Sequence, residues 1–443
     1  EISLGLVGSE MCIRDRHMNT PIADFLEDYE KKGMLRLHMP GHNGEAPHDI
    51  TEIAGADSLY ETDSSRGIIA HSEAIAAKLF GAERTCYSAG GSTLAIQAAL
   101  AILKAQGCKT IAAGRCSHRS LVSSAALLGL EVKWLYPKEY PSADVDCSKE
   151  ALSGADALFL TNIDYYGGTC RTSDPGIPVV VDNAHGSYLK FVSKAGSGRE
   201  YLHPMEFGFP VISAESAHKT LPALTGAAYL HFSKGADFSR AKEMTALFGS
   251  TSPSYLVMES LDKVNGRLLS DPDSVNRACA SVAGLKQRLT AVGFTLKRSD
   301  PLRVTINARA WGWSGTEFAA FLRAHGAECE MADENYVVLL FSAITSPDDC
   351  QRAEVSLELI PRRTAKPLVE YPVIRPKQET SIREAVFAKQ HSVSVDEANG
   401  KVCGGIQVSC PPGIPIVMPG ERIDSEAVEA LKLYGVKSVE ILD

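Results

Sequence analysis

The reading of this chain turns on two stretches, PVVVDNAHGSYLKF (Pro178–Phe191) and SAESAHKTLPALTGAAYLH (Ser213–His231). In the first, an apolar run carries Asp182 to its end and His185 follows in a polar turn. In the second, PVISA from Pro210 runs into a serine, a histidine and Lys219, then a Pro/Gly-broken loop and another apolar run. Runs of this length, bounded by turn residues, predict strands. Working outward, TIAAG from Thr110, EVKWLY from Glu131, ALFLT from Ala157 and AAYLHF from Ala227 read as further strands, with a helix over Leu121–Leu128. Strands alternating with helices predict a mostly parallel α/β sheet, whose ligands sit at the carboxyl ends of the strands.

The pattern extends in both directions. Asn19 to Lys32 has helical spacing at Ile22, Phe25, Leu26 and Tyr29, and a helix over Ser72–Phe80 stops at Gly81. LHMPGHNG from Leu37 reads as a loop. A long helix covers Leu256–Leu269. Beyond it, RVTINA from Arg303 and YVVLLF from Tyr336 read as strands around a helix near Thr316–His325, a smaller α+β portion. Residues 365–379 read as a connector. The expected division is 1–18 as a non-native leader ending in His17-Met18, 19–60 as an arm, 61–290 as the large domain, and 291–443 as the C-terminal α+β region.

Bulk properties narrow the function. A chain of 443 residues is too long for one core. The net charge of −9 disfavours a nucleic-acid surface, and no apolar run is long enough to span a bilayer. Eleven cysteines without a CxxC pair argue against a zinc ribbon or a redox motif and suit a reduced, cytoplasmic protein. No metal is expected.

The chemistry lies in four segments. A lysine at a strand end can be held in a pocket and condense with an aldehyde cofactor, although most lysines are solvated. A strand-end carboxylate such as Asp182 can pair with a protonated pyridine nitrogen, and His185 can hydrogen-bond the ring's phenolic oxygen. The plainer readings are a helix cap and a packing histidine. In CYSAGGSTLAIQAALAIL from Cys86, Gly90, Gly91, Ser92 and Thr93 open a helix whose N–H groups suit a phosphate. A simple cap after a glycine turn explains that segment equally well. In the fourth segment, from Ala113, His118 sits between a strand and a helix, where an imidazole can lie on a pyridine ring.

Taken in order, these segments resemble the Orn/Lys/Arg decarboxylase family, related to aspartate aminotransferase. The SxHK element at Ser216–Lys219, FGSTSPSYLVMESLD from Phe248, the PGHNG loop from Pro40 and PPGIPIVMPGE from Pro411 carry the resemblance. It implies the aspartate-aminotransferase-like α/β fold (fold type I) and pyridoxal 5′-phosphate as cofactor. It implies Lys219 as the cofactor lysine, His218 beside it, Asp182 at the ring nitrogen and His118 stacked on the ring. Gly91, Ser92, Thr93 and Ser216 would hold the phosphate. Thr251 would approach the cofactor at a homodimer interface. The expected reaction is decarboxylation of a basic amino acid to an amine of the polyamine class, with arginine slightly favoured because short members often act on it. Glu421 is the candidate for the substrate's distal cation, against a solvated acid on the Pro419-Gly420 turn. Departures occur at Ala89-Gly90-Gly91, Tyr188 and Ser409-Cys410. The competing readings are another reaction of the same fold type, such as transamination or a side-chain lyase reaction, and a catalytically silent regulatory homologue.

Overall fold

Short apolar runs separated by Gly-rich turns become the strands of a single large sheet. The structure, a computed structural model, describes residues 19–50, 59–60, 67–193, 200–406 and 414–443. Two helices, α1 (Pro21–Lys31) and α2 (Ile68–Phe80), precede the first strand, β1 (Arg84–Ser88). Strand and helix then alternate through α3 (Gly91–Ala105), β2 (Thr110–Gly114), α4 (Arg119–Leu128), β3 (Glu131–Leu135), β4 (Ala157–Thr161), β5 (Val179–Asp182) and β6 (Val211–Ser216). A one-turn helix, α5 (Ala217–Thr220), leads to β7 (Ala228–Phe232).

The seven strands lie in the order β1-β7-β6-β5-β4-β2-β3. Strands β2 to β6 pair in parallel, whereas β7 is antiparallel to both its neighbours. The reason lies in the β6–β7 connection. A parallel return needs a crossover of a dozen or more residues. The stretch 217–227 holds only α5 and a Pro/Gly-broken turn, so the chain doubles back. Strands β5 and β6 are buried along their whole length, as expected where helices cover both sheet faces. The register sets Thr161 beside Asp182 and Asp182 beside Ala214. The carboxyl ends of β4, β5 and β6 therefore open onto one place.

Helices α6 (Ala241–Ala246), α7 (Tyr255–Ser270) and α8 (Ser274–Ala291) follow. Asp262 on α7 caps α1, its Oδ2 accepting the N–H groups of Ile22 and Ala23 at 2.9 and 3.0 Å. The region read as one α+β portion holds two separate sheets. The first contains β8 (Leu296–Lys297), β9 (Arg303–Asn307), β10 (Met331–Ala332) and β11 (Tyr336–Leu340), with α9 (Gly315–Ala324) and α10 (Pro347–Glu358). The second pairs β12 (Gln390–Ser394) with β13 (Ser438–Leu442), alongside α11 (Ile382–Phe387) and α12 (Ser425–Leu433). One apolar cluster runs from Leu26 and Phe80 through Tyr229 and Leu261 to Ile306 and Val337. It joins the large sheet's helices to the four-stranded sheet, so β9 is seated firmly against the large domain. No helix among the described residues is long and apolar enough to cross a membrane.

Candidate active site

Asp182 ends β5, and the next four residues form a locked turn. The Ala184 N–H donates to Asp182 Oδ1 at 3.1 Å, and the Gly186 N–H donates to the Asn183 carbonyl at 2.9 Å. Asn162 on the β4 side donates to Asn183 Oδ1 at 2.8 Å. A Cβ at position 186 would sit 2.0 Å from that same oxygen, so only glycine lets the chain pass. The turn buries His185 and aims it at the end of β6.

There it meets Lys219. Lys219 Nζ lies 3.0 Å from His185 Nε2 and 5.7 Å from the centre of the Tyr165 ring. Tyr165, on the loop after β4, packs edge-on to His185 at 5.0 Å between ring centres. Lys219 is thus not a solvated surface group. Burial pulls its pKa below that of an ordinary lysine, and Asp182 offsets part of that pull. Burial also holds His185 well below the usual histidine range, with Lys219 and Arg303 adding to the effect. His118 caps α4, its Nδ1 accepting the Ser120 N–H at 3.2 Å. Burial lowers its pKa while Asp182 pushes the other way. His218 Nδ1 is 3.0 Å from the Ala227 carbonyl oxygen, which anchors it to the turn before β7.

The helix side is equally well formed. No side chain caps α3, and Gly91 takes a left-handed φ of 69° while its N–H donates to the Gly226 carbonyl at 2.8 Å. Ser216 Oγ donates to Ser92 Oγ at 2.8 Å, joining the end of β6 to the first turn of α3. Thr93 is exposed. Uncapped N–H groups beside two or three hydroxyls make a binding site for a phosphate. The whole donor set suits pyridoxal phosphate: a buried amine, a strand-end carboxylate, nearby imidazoles and an anion site at a helix start.

Two expected residues stand apart. Thr251 lies on an exposed stretch with Ser250 and Ser252. Glu421 is 1 % exposed, which corrects the reading of a solvated turn acid. It forms a two-pronged ion pair with Arg115, Nη1 to Oε1 at 2.6 Å and Nη2 to Oε2 at 2.7 Å. Its Oε2 also accepts the Met418 N–H at 2.7 Å. Arg115 thus already neutralises the carboxylate expected to meet a substrate cation. Glu421→Gln should cost about 3–5 kcal/mol of stability by leaving a buried guanidinium unpaired. A raised KM with an unchanged denaturation midpoint would instead restore the recognition role. Ser409, Cys410 and Pro411 fall outside the described residues.

Sequence reasoning missed Tyr165, Arg115, Asp300 and Arg303. Arg303 and Asp300 are fully buried and paired, Nη1 to Oδ2 at 3.0 Å. The Tyr188 hydroxyl donates to the other oxygen of Asp300. Tyr188 therefore serves the β9 junction. The signal available for these residues was a charged pair, Asp300 and Arg303, flanking a predicted strand start, a pattern common on solvated surfaces.

Comparison with known proteins agrees with this fold. Two family profiles match: Orn/Lys/Arg decarboxylase, major domain, over residues 160–289, and Orn/Lys/Arg decarboxylase, C-terminal domain, over residues 362–436. An uncharacterised protein of Bacillus subtilis is 27% identical over 95% of this chain and 95% of its own length. An arginine decarboxylase of Bacillus subtilis is 25% identical over 92% of each chain. The solved structure of the E. coli constitutive lysine decarboxylase shares the fold, with a TM-score of 0.78 at 16% identity, covering 100% of this chain and 85% of that one. Together these matches support the Orn/Lys/Arg decarboxylase family and a pyridoxal-phosphate-dependent decarboxylase.

Proposed function

We propose that this chain removes the α-carboxylate of arginine, in preference to lysine or ornithine, and releases CO2 and the corresponding amine. The observation that carries the reaction type is the Lys219–His185 contact at the shared ends of β5 and β6, with Asp182 beside it. The preference for arginine rests on the similarity to arginine decarboxylases over nearly the whole chain.

When bound, pyridoxal phosphate supplies an aldehyde and an electron-accepting ring. The chain supplies orientation and electrostatics. Lys219, held towards its neutral form by burial, is the nucleophilic amine. The Asp182 carboxylate, at the end of β5, would keep a proton on the ring nitrogen. His118 offers a flat face at the start of α4. Ser92, Thr93, Ser216 and the first N–H groups of α3 hold a phosphate. Lys219 or His218 can return a proton to the carbon that lost CO2.

Purified protein with pyridoxal phosphate should release CO2 from arginine faster than from lysine or ornithine. Release of a keto acid without CO2 would overturn the reading. No CO2 from any of the three would favour a silent homologue. We further propose a cytoplasmic homodimer, with the exposed Ser250–Ser252 stretch meeting the partner's site. Sedimentation should show a dimer at assay concentration, and a fully active monomer would refute this.

A further inference from the structure

Arg303 has no place in the chemistry above, yet it is fully buried and touches a site residue. It enters from β9, on the four-stranded sheet. Its Nη1 donates to the Asp164 carbonyl at 2.6 Å and pairs with Asp300, and its Nη2 lies 2.7 Å from His185 Nδ1. Asp300 is held in turn by Tyr188, so the guanidinium is fixed from three sides.

A guanidinium has five N–H donors and no acceptor, and it does not lose its proton in a protein. At 2.7 Å the other partner must therefore accept, so the lone pair of His185 sits on Nδ1. A buried ring flanked by Lys219 and Arg303 stays neutral, and a neutral imidazole carries one N–H. That proton must be on Nε2, the atom facing Lys219 Nζ at 3.0 Å. We infer that Arg303 is a positioning residue: it holds His185 in the Nε2–H tautomer, so the ring presents a donor to whatever lies beside Lys219. This rests on reading the site as the pyridoxal-phosphate site, where the acceptor is the cofactor's phenolic oxygen. Without Arg303, either ring nitrogen could carry the proton, and the Nδ1–H form would turn an acceptor towards another acceptor. The pair Asp300–Arg303 then matters to the site through one hydrogen atom, 118 residues away in sequence from the ring it orders.

The test is 15N NMR of histidine-labelled protein, with pyridoxal phosphate bound and after its removal. His185 should show a protonated Nε2 and a bare Nδ1 in both states. Arg303→Lys, which keeps a donor, should retain that pattern. Arg303→Met should populate the Nδ1–H form and weaken pyridoxal phosphate binding about tenfold, the loss of one hydrogen bond to the cofactor. A proton on Nδ1 in the parent protein overturns the inference without any variant, which covers the case in which Arg303→Met does not fold. An unchanged tautomer in folded Arg303→Met also overturns it and leaves Arg303 a structural brace. The cofactor-free spectrum is independent of the reaction. Absence of CO2 release would sink the proposed function alone, and a wrong tautomer in an active enzyme would sink this inference alone.

Discussion

Lys219→Ala is expected to lose the visible band of lysine-linked pyridoxal phosphate together with CO2 release, the latter by at least about three orders of magnitude, or about 4 kcal/mol of barrier. The amine is the only nucleophile that the fold brings against His185 and Tyr165 among the described contacts. The phosphate cradle at α3 is untouched, so the variant should still hold the cofactor without a covalent link. Loss of folding is not the expected cause. The folded pKa of Lys219 lies below its unfolded value, so at neutral pH burial works against the fold. That cost disappears only as pH rises through the unfolded lysine pKa. Alanine removes the cost, and the cofactor-free variant should be at least as stable as the parent in denaturant. Absorbance spectra, a CO2 assay and a urea titration check the three statements. A variant that keeps its visible band and its rate would remove Lys219 from the site.

Asp182→Asn is expected to bind pyridoxal phosphate but decarboxylate on the order of a hundredfold more slowly, about 2.7 kcal/mol. An amide fits the same turn, because the Ala184 N–H can still donate to its oxygen. What it lacks is charge. A neutral amide does not hold a proton on the ring nitrogen, so the electron sink is weaker in the transition state than in the ground state. That difference falls on kcat and not on binding. Single-turnover rates with saturating cofactor separate the two. A near-normal rate would return Asp182 to the role of a turn residue.

The departures noted in sequence have different structural weights. Tyr188 is locked to Asp300 and Leu302, so it belongs to the junction between β9 and the large domain. The Ala89-Gly90-Gly91 turn still leads directly into α3, where Gly91 is left-handed and its N–H is bonded to Gly226.

The amino-acid sequence by itself determined six of the seven strands of the large sheet, β2 to β7, and their order along the chain; β1 (Arg84–Ser88), short and polar at both ends, was not read as a strand. Most of those strands are short apolar runs with buried interiors, so their composition is nearly unambiguous; the edge strand β3 is the half-exposed exception. The sequence also placed Asp182, His185, Lys219 and His118 at strand ends, because the polar residue that stops an apolar run is visible without structure. Helix α8 was legible but unread. Its buried positions Val275, Ala278, Cys279, Val282, Leu285 and Leu289 follow helical spacing, diluted by Asn, Arg and Gly. The antiparallel turn of β7 and the split of the C-terminal region into two sheets were not legible, because strand pairing depends on partners far away in sequence. Only the tertiary structure decided the charged partners. Arg303 against His185, and Arg115 against Glu421, are separated by 118 and 306 residues. A sequence shows that a charge exists; burial and distance decide whether it meets water, a substrate or another side chain.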